Sequence, residues 1–156
     1  MIARGGIQLA APAEWGLDIG GDPQSILLSA LIPPGANNGV GLLAIGSHGE
    51  AQPTPPLTDE RLAEWLKNLI ATERPSSYSR SVVLLPAGRA VEIRATYGAG
   101  TPDATEVAAF AIPTAIGVVS LQVIIDDDLM GRYGSTLQLI PMLLDLGTAR
   151  ISSPAP

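Results

Sequence analysis

Two short stretches do most to limit how this chain folds. Ile26–Ile32 and Val40–Ile45 have strand length and strand composition, yet both of their sides are apolar. Leu27 and Leu31 stand against Ile26, Leu28 and Ile32, and Leu43 and Ile45 stand against Val40 and Leu42. A strand wet on one face alternates apolar and polar residues, because successive side chains point to opposite sides. These strands do not, so the sheet that holds them must be covered on both faces.

The covers are also legible. Thr58 sits where a helix N-cap belongs, Asp59 and Glu60 follow in the first turn, and Leu62, Trp65, Leu66 and Leu69 recur at i, i+3, i+4 and i+7. Pro75 stops this helix near Glu73. A second helix is expected to begin near Leu129–Tyr133, with Tyr133, Leu137, Ile140 and Leu144 on one side. Pro141 inside that pattern should kink or divide it, and Gly147 is a natural stop.

Further strands are predicted at Ile7–Ala10, Ser81–Leu85, Arg89–Tyr97, Thr105–Ile112 and Ile116–Ile125. Arg89–Tyr97 alternates most cleanly: Val91, Ile93, Ala95 and Tyr97 one way, Glu92, Arg94 and Thr96 the other. In the next two strands Ala108, Phe110 and Ile112, then Val119, Leu121, Val123 and Ile125, form the expected inner faces. Short turns between consecutive strands imply antiparallel pairing. The expectation is an α+β fold: a three-layer α/β/α sandwich with an antiparallel sheet of about six or seven strands and two main helices. Residues 1–150 should form one domain, and 151–156 a disordered tail.

Composition narrows function more by exclusion than by assignment. The 156 residues are 46% hydrophobic but only 15% charged and 4% aromatic, so the interior must be aliphatic. Net charge is −6, and the basic residues (one Lys, eight Arg) are dispersed, which argues against nucleic acid and anionic membrane as partners. No apolar run approaches the ~20 residues of a membrane span. Met1–Ala11 lacks the pattern of a signal peptide, so a cytoplasmic location is expected, with export after loss of a signal as the alternative. Cysteine is absent, which removes disulfides, thiolate metal sites and a Cys nucleophile.

Pro12-Ala13-Glu14-Trp15, just after the first strand, resembles the P-x-x-W opening of the PsbP-like superfamily. That superfamily includes a photosystem extrinsic subunit, a small Ran-binding nuclear import factor and many bacterial proteins of unknown role. Leu84-Leu85-Pro86-Ala87-Gly88-Arg89-Ala90 resembles its leucine-proline-x-glycine lead into a long mid-chain strand. The helix, the meander after it and the C-terminal helix agree in order, over about Ile7 to Leu146. The chain departs from the pattern in its few aromatics and in Pro141. The resemblance implies an α/β/α sandwich that binds a protein partner and does no catalysis. No functional residue carries over.

The residues offer little for chemistry. His48 is the only histidine, in Gly46-Ser47-His48-Gly49, and its plainer reading is a loop residue. Gly35-x-x-x-Gly39 and Gly98-x-Gly100 lack a phosphate-loop lysine and read as turns. Asp126-Asp127-Asp128 is the sharpest polar feature; as a metal site it lacks the alternating ligands and distal Glu of a calcium loop. The plainer reading is a solvated strand-to-helix connection in which one Asp caps the helix. Glu92 and Arg94 suit cross-strand ion pairs. Trp65 belongs to a helix stripe, whereas Trp15 is either core or a partner contact.

The leading expectation is therefore a non-enzymatic protein-binding, adaptor or chaperone-like domain, with self-association through an apolar face or sheet edge. It has no catalytic residue and no cofactor. Two alternatives stand beside it: a carboxylate-dependent metal-binding protein or hydrolase using Asp126, Asp127 and Asp128, and a carrier of a small apolar ligand.

Overall fold

The computed structural model describes residues 2–4, 7–10, 12–20, 28–36, 40–45, 58–70, 74–114 and 117–146; at 2–4, 7, 17–20, 28–31, 40–45, 69, 117 and 127–128 it describes the backbone alone. His48, the 37–39 loop, Gly147 and the 151–156 tail lie outside those residues, as do the side chains of the two doubly apolar strands other than Ile32.

Strands β1 (Ile2–Arg4), β2 (Ile7–Leu9), β3 (Gly16–Gly20), β4 (Leu28–Ile32) and β5 (Val40–Ile45) precede helix α1 (Asp59–Ile70). Then come β6 (Ser77–Leu85), β7 (Gly88–Tyr97), β8 (Thr105–Thr114) and β9 (Gly117–Asp126), helix α2 (Asp127–Leu139), a 3-10 turn at Ile140–Leu143 and β10 (Leu144–Asp145). The main sheet has seven strands in the order β3-β4-β5-β9-β8-β7-β6. Every neighbouring pair is antiparallel. Two meanders meet at its centre: β3–β5 run up to the seam, α1 carries the chain away, and β6–β9 return from the far edge until β9 pairs with β5.

Alternation along β7, β8 and β9 builds two cores. Val91, Ile93, Ala109, Ala111 and Val118 face α1 and pack against Leu62, Ala63 and Leu66. Ala109 and Ala111, both fully buried, take up little room beneath the helix. On the opposite face Phe110, Ile112, Val119, Leu121, Val123 and Ile125 pack against Tyr133, Leu137 and Ile140 of the α2 side. One helix thus packs on each face of the β7–β9 region, in the expected three-layer arrangement.

Local rules account for the element ends. The Thr58 hydroxyl accepts a hydrogen bond from the Arg61 backbone N–H at 3.3 Å, an N-cap contact to the third helical position. At Pro33–Ala36 the Ala36 N–H donates to the Pro33 carbonyl, with Gly35 at φ 80°, the left-handed conformation that the second central residue of such a turn needs. The Tyr133 hydroxyl donates to the Pro34 carbonyl at 2.8 Å and ties this turn to α2.

Several boundaries differ from expectation. Pro141 does divide the second helix: α2 ends at Leu139, and Pro141 is the second residue of the 3-10 turn that follows. Leu144 keeps the helical spacing but lies in β10, paired with Leu9; both are buried. Helix α2 starts at Asp127, earlier than Leu129, and β6 starts at Ser77, four residues before Ser81. The first strand does not join the main sheet. With β1 and β10 it forms a separate three-stranded sheet that closes the α2-side core.

Candidate functional site

On the α2 side of the sheet the helix packs on β9 and leaves the β6–β7 flank open. Glu92 lies at the border between the covered and open areas. It is only 6% exposed and faces the same way as Phe110, its neighbour across β8. A buried carboxylate needs partners that carry charge or donate hydrogen bonds. Arg94 Nε donates to Glu92 Oε1 at 2.8 Å, and the Ser81 hydroxyl donates to Oε2 at 3.0 Å. The expected cross-strand ion pair is therefore corrected. The pair runs along one strand, since i and i+2 share a face, and the cross-strand partner is a serine.

Beyond Arg94 the sheet and α2 part to form a cleft of about 240 Å³. Its apolar floor and walls are Phe110, Val123, Ile125, Leu137 and Pro141, and Arg94, Thr96, Glu106 and Gln138 supply polar groups. The same end of α2 and the 3-10 turn leave Leu139, Met142 and Leu143 half-exposed or more. Three large apolar side chains exposed within five residues of one another, in the segment that supplies Leu137, Gln138 and Pro141 to the cleft, are unusual for a surface with no partner.

The residues singled out from sequence fall elsewhere. Trp15 is 7% exposed and meets Tyr133 edge-on, with ring centroids 6.0 Å apart, so its area is committed to the α2-side core. Trp65 is half-buried against the α1-side core. Asp126 ends β9 in the N-cap position of α2, with extended φ and ψ, but its side chain makes no cap bond. Its Oδ1 accepts instead from the Thr105 hydroxyl across the strand pair at 3.1 Å. Asp127 and Asp128 are the first two residues of α2, where the helix dipole favours anions. Among the described residues, no group of three or more His, Asp or Glu side chains is placed to hold a metal ion.

The cleft was not legible in advance, since its walls come from β7, β8, β9, α2 and the 3-10 turn. One sequence signal did exist: Leu139, Met142 and Leu143 fall off the helical stripe and had no assigned role. Among the described residues no helix is long and apolar enough to cross a membrane.

No protein-family model and no curated protein matches this chain. Among solved structures it is similar to LpqN of Mycobacterium tuberculosis, described as involved in cell envelope biogenesis. The TM-score is 0.54 at 18% identity, over 89% of this chain and 82% of LpqN. At that identity the likeness shows a common fold.

Proposed function

We propose that this chain is a non-catalytic, protein-binding domain that receives its partner at the α2-side cleft. The observation that carries the reading is that the segment lending Leu137, Gln138 and Pro141 to the cleft also exposes Leu139, Met142 and Leu143. Interfaces of this kind have an apolar centre and a polar rim, and Arg94, Thr96, Glu106 and Gln138 provide the rim. Glu92, the buried carboxylate nearest the cleft, is already held by Arg94 and Ser81, which suits a structural acid better than a catalytic one. The resemblance to the PsbP-like superfamily implies the same class of function.

Volume favours this reading over a small-molecule carrier. Pockets for whole ligands enclose about 300–1,000 Å³. A cleft of about 240 Å³ is short of that range and suits side chains presented by another protein. LpqN's description makes the cell envelope the first place to look for the partner.

The test compares the wild type with a triple variant, Leu139→Ser, Met142→Ser and Leu143→Ser, as bait in the source cell. All three side chains are exposed, so the melting temperature should hold. A stoichiometric partner kept by the wild type and weakened at least about tenfold in the variant supports the proposal. Equal retention by both baits, or no partner at all, contradicts it.

A further inference from the structure

The outer edge of β6 behaves as an unfinished sheet. β6 pairs with β7 over nine consecutive residues, Ser77↔Thr96 to Leu85↔Gly88, with no bulge. It is the last strand in the sheet order, and among the described residues none pairs with its other side. Exposed edges are normally blunted by proline, bulges or several charges. β6 contains no proline and one charged residue, Arg80. Three of its side chains on the α1 side are large, apolar and exposed: Tyr78 at 44%, Val82 at 49% and Leu84 at 81%.

We infer that β6 pairs antiparallel with β6 of a second copy about a two-fold axis at Ser81, joining two seven-stranded sheets into one. The strand's own sequence selects this occupant and this register. A two-fold axis makes residue i meet residue j and j meet i, and paired residues share a face. Centred on Ser81, Tyr78 lies opposite Leu84 of the partner copy and Arg80 opposite Val82, with the same contacts repeated by symmetry. All nine residues then find a partner. A two-fold at residue 80 sets Arg80 against Arg80, a like-charge pair. A two-fold at residue 82 sets Tyr78 opposite Pro86, which lies beyond the strand and has no N–H to give. In the Ser81 register the Arg80 stem covers Val82 while its guanidinium stays wet, 3.9 Å from Glu60.

Nine residues a side is well below the 20–30 of a standard interface, so the dimer is weak, with Kd on the order of tens of micromolar. Each copy carries −6, so added salt strengthens association by screening the repulsion between copies.

Sedimentation across a concentration series reads the dimer directly. The wild type should pass from monomer to dimer and shift toward dimer in 0.5 M salt (about a 4 Å screening length), and Val82→Lys with Leu84→Lys should remain monomeric. A wild type that stays monomeric to about 1 mM overturns the proposal, because that is well above the expected Kd. The natural absence of cysteine gives a second reading that does not depend on the lysine variant folding. Ser81→Cys should form a disulfide-linked dimer on mild oxidation, because residue 81 meets itself, whereas Ser79→Cys should not. Cross-linking that is equal at both positions, or absent at both, overturns the register.

Discussion

Strands β6 and β9 use much the same residues and meet opposite fates. β6 reads SYSRSVVLL and β9 reads GVVSLQVIID, and about half of each is Val, Leu or Ile. β9 sits between β5 and β8, and its Val118, Val119, Leu121 and Val123 are buried on two faces. β6 ends the sheet and leaves most of its side chains in water. The difference lies in the route of the chain. After β5, α1 carries the chain past the centre to the far edge, and three hairpins walk back to close the seam. Apolar residues say that a strand wants cover, and topology decides how much it receives.

The comparison breaks first if core and edge respond alike to truncation. Leu121→Ala should cost about 2–5 kcal/mol in urea denaturation, through lost burial and a cavity between the sheet and α2. Leu84→Ala, at the open edge, should stay within about 0.5 kcal/mol. Comparable losses at the two sites would mean that β6 is covered in solution to the extent β9 is. The border between the two regions should respond at an intermediate level. Arg94→Ala strips the buried Glu92 carboxylate of its cation, and a loss at the lower end of about 1–3 kcal/mol is expected, since Arg94 keeps contact with water. Thr58→Ala, which removes the cap of the α1 cover, should cost about 1 kcal/mol in the same assay.

The smallest effect is electrostatic. Arg89 donates from both terminal nitrogens to Asp59, at 2.7 and 2.6 Å, joining the start of α1 to β7. That donation holds the Asp59 carboxyl below the ordinary aspartate range. Its contribution is therefore complete above the unfolded value, near about pH 4, and disappears as pH falls through the lower folded value. Because the pair is exposed, the effect should be slight. Asp59→Asn should flatten the acid limb of the melting curve and leave neutral pH almost unchanged.

What the sequence revealed follows the reach of its signals. Helix α1 was readable from Thr58 to its apolar stripe because cap and stripe are local. The inner faces of β7, β8 and β9 were readable because alternation is local too. β3 was missed because glycines at both ends make Gly16–Gly20 look like a turn. β10 was missed because Leu144 continues a helical spacing while its pairing partner, Leu9, stands at the other end of the chain. The Glu92 bond to Ser81 and the cleft were hidden for the same reason: each depends on which strands become neighbours. Arg94, Phe110 and Leu137 become cleft residues only after β7, β8 and α2 have met.

The central seam also governs when the fold can be completed. Residue 40 pairs with residue 123, and residue 45 with residue 118. On a ribosome, β4 and β5 emerge long before the strand that will seal them, and they wait as greasy, half-made ribbon until residues 118–123 are out. Contacts so distant along the chain are slow to form and leave nascent polypeptide open to aggregation. Newly made copies should therefore lean on chaperones in proportion to how long β9 is delayed.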